Sequence, residues 1–147
     1  MEKEWDLMVV CSRLENRRAL LRILDGLPVD IFTAASIKQA HEVLAGREVR
    51  LIFCEEHFTD GSYRDLLRTI RSEHPAPRMV LMLCTGEWEE YLEAMRLGVT
   101  DVVRCPLQPT DVELALIRAA RETTLSAEAR EARHEDAGPG YLWAHTT

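Results

Sequence analysis

The sequence predicts an α/β protein, a three-layer αβα sandwich in which helices cover both faces of a five-stranded parallel sheet. Three observations predict it. Short, wholly apolar runs at residues 7–11, 51–54 and 79–84 read as strands buried on both faces, as central strands of parallel sheets are. Each run gives way to a polar turn and then to apolar residues at helical spacing. The connections are short, and strand–helix alternation of this kind builds a parallel sheet through right-handed crossovers.

The first strand is Leu7-Met8-Val9-Val10-Cys11. Ser12-x-x-Glu15 has the form of a capping box, opening a helix that carries Leu14, Ala19, Leu20 and Ile23 and stops near Gly26-Leu27-Pro28. Residues 29–34 form a less apolar second strand, which suits an edge position. Ser36-x-x-Gln39 caps a second helix with Ile37, Ala40, Val43 and Leu44 inward. The third strand ends in Glu55 and Glu56, and the turn Thr59-Asp60-Gly61 leads into a helix to about His74 with Tyr63, Leu66, Leu67 and Ile70 inward. After the fourth strand, a helix following Gly86 turns Trp88, Tyr91, Leu92 and Met95 to one side, and Gly98 sits where a left-handed cap belongs. Residues 101–104 make a short fifth strand. Thr110-x-x-Glu113 caps the last helix, which carries Val112, Leu116, Ile117 and Ala120.

The domain is expected over residues 5–122, with 123–147 as a C-terminal extension or flexible tail. Its AGPG segment breaks any helix, and Tyr141, Leu142 and Trp143 are either part of a frayed end or a docking segment. A length of 147 residues and a 46% hydrophobic fraction suit one domain with a real core. The formal charge of -7, without a basic run, argues against sequence-independent nucleic-acid binding. No signal peptide or membrane span is evident, so the expected location is the cytoplasm, with the four cysteines reduced.

Chemistry in open parallel sheets collects at the carboxyl ends of the strands. Glu55, the first residue past the third strand, is therefore the leading site candidate. The five histidines show no metal-ligand spacing, and His57, alone near this rim, reads as a loop residue. Ser12 is better explained as a cap than as a nucleophile. A flavin carrier of related architecture would need a glycine-rich phosphate loop, and Cys11-Ser12-Arg13-Leu14-Glu15 has no glycine.

From Leu7 to Ala120 the order and spacing of elements resemble the receiver domain of two-component response regulators, the CheY-like fold. The resemblance rests on Val9-Val10 before the first helix, Leu51-Ile52-Phe53-Cys54-Glu55 with Asp60-Gly61, Ala94-Met95-Arg96-Leu97-Gly98-Val99-Thr100-Asp101, and Cys105-Pro106-Leu107 in place of Lys-Pro-Phe. It implies strand order 2-1-3-4-5. It also implies transfer of a phosphoryl group from a histidine kinase to an aspartate, around Mg²⁺ held by carboxylates and with a lysine balancing charge. Here the acidic-pair positions hold Cys11 and Ser12, the phosphoacceptor position Glu55, and the lysine position Cys105. The switch hydroxyl is Thr85 only if the loop is shortened, and the fifth-strand aromatic is replaced by Val102. Mg²⁺ requires converging oxygen ligands, so the resemblance implies a pseudo-receiver with no Mg²⁺ and no other cofactor. Glu55 is then either a fixed imitation of a phosphorylated aspartate or a solvated or capping carboxylate.

The expected function is that of a stand-alone signalling module, not an enzyme, acting through phosphorylation-independent protein contacts. Its partner would be a histidine kinase or an output protein, with no role for nucleic acid or membrane. The family's fourth-helix, fifth-strand and fifth-helix surface would draw on Glu87, Glu90, Arg96, Asp101, Arg104 and Glu113, and could support a homodimer. The alternative is a cysteine-based redox or metal sensor. Cys11, Cys54, Cys84 and Cys105 all fall at carboxyl ends of strands and form a candidate thiol cluster. With strands about 4.8 Å apart, the outer two lie roughly 14 Å from each other, too far for one tetrahedral zinc site. Small hydrophobes filling vacated space is the simpler reading.

Overall fold

A computed structural model describes residues 5–73, 77–84 and 87–121. Along the chain run β1 (Trp5–Val10), α1 (Leu14–Leu24), β2 (Val29–Ala34), α2 (Ile37–Gly46), β3 (Val49–Glu55), β4 (His57–Phe58), β5 (Gly61–Ser62), α3 (Tyr63–Glu73), β6 (Arg78–Leu83), α4 (Trp88–Leu97) and β7 (Asp101–Arg104). A fifth helix, α5, covers 109–121. The main sheet is parallel, in the order β2-β1-β3-β6-β7. Counted over its five strands this is the expected 2-1-3-4-5. The expected tail with Tyr141, Leu142 and Trp143 lies outside the described residues, as does Thr85.

The apolar strands divide their side chains between two cores, because successive residues of a strand point to opposite faces. Met8, Val10, Ile52, Cys54, Leu81 and Leu83 meet α2, α3 and α4 through Ala40, Leu44, Tyr63, Leu66, Ile70 and Ala94. Leu7, Val9, Leu51, Phe53, Val80 and Met82 meet α1 and α5 through Leu20, Leu24, Val112, Ala115 and Ala119. The inward faces expected for α2 and α3 are those observed, with Val43 only partly buried.

Three helices turn differently from expectation. On α1 the buried residues are Leu20 and Leu24, while Leu14 is exposed. On α4 the buried residue is Ala94, and of the residues expected on one side Trp88 is 62% exposed and Met95 is also exposed. On α5 the stripe is Val112, Ala115 and Ala119, leaving Ile117 56% exposed. On α4 and α5 small alanines take the close approach to the sheet and larger side chains face out, whereas α1 packs through two leucines.

The helix ends follow their sequence signals unevenly. Gly98 caps α4 at φ 101°, and the Gly98 and Val99 amides donate to the Met95 and Ala94 carbonyls, closing a Schellman turn that needs the left-handed conformation. On α2, the Gln39 amide donates to Ser36 Oγ at 3.1 Å and Gln39 Oε1 accepts from the Ala35 amide at 2.7 Å. By contrast α5 already begins at residue 109, so Thr110 lies inside its first turn rather than at the cap. Pro109 takes that entry, where a missing amide hydrogen costs nothing. The short β4–β5 hairpin, unforeseen in the sequence, folds the polar segment after β3 back on itself.

Candidate functional site

Glu55 closes β3 and lies at the carboxyl rim of the sheet, 4% exposed. Its Oε1 accepts from the Ser12 amide at 2.6 Å, the Ser12 hydroxyl at 3.1 Å and the Arg13 amide at 3.3 Å. Its Oε2 accepts from Asn16 Nδ2 at 3.1 Å. The carboxylate is thus neither solvated nor open. It caps α1 across the sheet, on amides that otherwise have no intrahelical partner.

This corrects the capping-box reading of Ser12-x-x-Glu15. The N-cap of α1 is Arg13, which makes no side-chain cap bond, and the Ser12 hydroxyl points to Glu55 instead. A carboxylate at a helix N-terminus also meets the positive end of the helix dipole, so it displaces the weaker local cap. Asn16, which the sequence did not single out, holds the second oxygen. It also donates to Cys84 Sγ at 3.4 Å.

The polar turn provides a second cap of this kind. The Ile37 and Lys38 amides at the start of α2 donate to Asp60 at 3.0 and 2.9 Å. Those two bonds, Lys38 first, hold the Asp60 carboxyl below its usual range.

Glu56 turns away from the pocket and is buried. Its carboxyl is pushed up, first by burial and then by a hydrogen bond shared with Glu90. Arg64 joins this acidic group through Glu90 at 3.8 Å and through Glu93, and His57 approaches Glu56 at 3.6 Å.

The four cysteines do not assemble into one cluster. Cys54 belongs to one core and Cys11 to the other. Burial first, then the Glu55 charge, pushes the Cys11 thiol up to about 12 and the Cys54 thiol well above its ordinary value. Cys84 and Cys105 instead are joined as a disulfide with Cα atoms 4.7 Å apart, which corrects the expectation that all four thiols are reduced. Among the described residues no three His, Cys, Asp or Glu side chains come together as a metal site.

A magnesium ion at this rim would need several oxygen ligands. Of the side chains there, Cys11 offers a protonated sulfur, and both Glu55 oxygens are engaged by protein donors. The residues do not fit the ion.

On the α4–β7–α5 face, Asp101 is mostly covered and is bonded to Arg118 of α5 at 2.8 Å, while Glu90 belongs to the Glu56 group. Those two expected surface residues are therefore committed within the fold. Glu87, Arg96, Arg104 and Glu113 are exposed. Beside them stand Trp88, stacked on Tyr91 with ring centroids 5.2 Å apart, and the exposed Met95, Leu114 and Ile117.

The signal receiver domain of an HD domain-containing protein from Pseudomonas fluorescens superposes with a TM-score of 0.76 over 82% of this chain and 98% of that one, at 23% identity. The chain has the fold of a CheY-like receiver domain. No family model matches it. In sequence the chain is 29% identical over 128 residues, 85% of its length, to the response regulator protein PilR of Pseudomonas aeruginosa. It is 25% identical over 118 residues, 80% of its length, to the transcriptional regulatory protein ZraR of Escherichia coli. The chain spans 28% and 27% of those two relatives, under a third of either. Among the described residues no helix is long and apolar enough to cross a membrane.

Proposed function

We propose that this receiver signals through protein–protein contact without being phosphorylated and without Mg²⁺, in a pathway whose partners are a histidine kinase or an output protein. The observation that carries the reading is the Glu55 carboxylate, both of whose oxygens accept hydrogen bonds from the start of α1. Phosphoryl transfer depends almost wholly on positioning and on charge stabilisation by metal and cations. At this rim the would-be metal ligands are a thiol and a hydroxyl, and the lysine position holds a cysteine tied to Cys84.

Glu55 acts as a structural anion rather than as a mimic of phosphate. A carboxylate has less charge and fewer acceptors than a phosphoryl group, and here its acceptors already serve α1. The contact surface is α4–β7–α5, where the stacked Trp88 and Tyr91 supply an aromatic anchor and Glu87, Arg96, Arg104 and Glu113 a charged rim.

Incubation with acetyl phosphate and Mg²⁺ tests the first half of this reading. Intact-mass analysis is expected to show no acyl-phosphate adduct on the native chain. A stable adduct on Glu55 would overturn it.

A further inference from the structure

We propose that Cys84 and Cys105 form a reversible dithiol–disulfide site that staples β6 to β7 and so fixes α4, with a peroxide as the oxidant. The sheet itself sets the approach of the two sulfurs. Leu83 and Arg104 are the last register partners of β6 and β7, and the Cys105 amide donates to the Leu83 carbonyl at 3.1 Å. Cys84 and Cys105 are the next residues on each strand, and their Cα separation of 4.7 Å lies within the bridging range. No loop has to move for the bond to close.

Accessibility separates this pair from the other two cysteines. Cys84 is exposed and Cys105 half-buried, whereas Cys11 and Cys54 are fully buried, one in each core. Only thiolates react, and burial keeps the inner pair protonated. Asn16 donates to Cys84 Sγ, a contact that favours a thiolate when the bond is open.

The chemistry then runs in two steps. The Cys84 thiolate attacks one peroxide oxygen, the O–O bond breaks, and the other oxygen leaves as water or an alcohol after taking a proton, giving a sulfenic acid. The Cys105 sulfur, having given up its proton, displaces the hydroxyl of that sulfenic acid, which takes a proton and leaves as a second water. In total two thiols lose two electrons and two protons, and the peroxide is reduced. A dithiol reductant reverses the change by exchange.

The consequence follows from what the bond encloses. The two cysteines lie 21 residues apart, and all of α4, with Trp88 and Tyr91, is in the loop between them. Oxidation therefore restrains the helix that carries the aromatic anchor. The redox step does not depend on the partner-binding reading, and its test involves no partner.

The full chain is reduced, freed of reductant without air, and treated with hydrogen peroxide. The expected result is an intact mass lower by two hydrogens, a non-reduced peptide map linking Cys84 to Cys105, and full reversal by dithiothreitol. Cys105→Ser should stop at a sulfenic acid on Cys84, trapped by dimedone. Hydrogen exchange across Trp88–Leu97 in the oxidised native chain should slow by about tenfold against the reduced chain. Over-oxidation of Cys84 with Cys105 left free, a link through Cys11 or Cys54, or unchanged exchange in α4 would each overturn the proposal.

Discussion

The two halves of the sheet's carboxyl rim are closed by different chemistry. On the β1–β3 side, a buried carboxylate is bonded to the amides that open α1. On the β6–β7 side, two sulfurs meet where the strands run out. The first closure is hydrogen-bonded. The second is covalent and responds to oxidants. Neither half is open: one is filled by its own fold, the other by a bond between neighbouring strands.

The strongest way to break this contrast is Glu55→Ala. It strips the acceptor from two main-chain amides, the Ser12 hydroxyl and Asn16 at once. The expected cost is about 4 kcal/mol, read as a lower urea midpoint and equal in reducing and oxidising buffer. Cys84→Ser should come next, at about 3 kcal/mol against the oxidised native chain, from the closure entropy of the loop. The same variant should match the native chain once dithiothreitol is present, and a loss that persists in reductant would show that the sulfur matters only for packing.

Smaller effects come from two acids, Glu56 just before the hairpin and Asp60 in its turn, and they carry opposite signs. Glu56 has a raised folded-state value, so its favourable contribution is complete below the ordinary carboxyl value of 4.5 and is lost as pH rises through the raised one. Melting curves of Glu56→Gln should therefore gain on the native chain as pH rises through that raised value. Asp60 is lowered, so its contribution is present above 3.8 and fades as pH falls through the folded value. Asp60→Asn should differ least from the native chain in acid, and an Asp60 difference that grew in acid would contradict the capping role.

Much of the scaffold was readable before any coordinates. Strands such as Leu51 to Cys54 are apolar on both faces, and α2 and α3 each present one clear stripe, so local pattern and tertiary burial agree. The inward faces of α1, α4 and α5 were not readable, because Leu14, Trp88 and Ile117 fit the helical period yet have no sheet to cover them. The site divides in the same way. Glu55 could be placed at a strand end from the sequence alone. Its role as a cap could not, since its donors lie 39 to 43 residues earlier and nothing local points to them. Cys84 and Cys105 meet only because of the register between β6 and β7, which no single segment encodes. The hairpin of β4 and β5 has two residues on each side, too few for a period to emerge.

The segment between β3 and α3 holds the starts of two helices that precede it, α1 through Glu55 and α2 through Asp60. A chain emerging from the ribosome makes both helices well before it makes their caps, by 43 residues in one case and 23 in the other. Until that later stretch arrives, α1 lacks the carboxylate that caps it, and α2 has only its local Ser36 cap. Full capping of the N-terminal half thus waits on the middle of the polypeptide, and a fragment ending ahead of residue 55 would be left with α1 uncapped and α2 held by Ser36 alone.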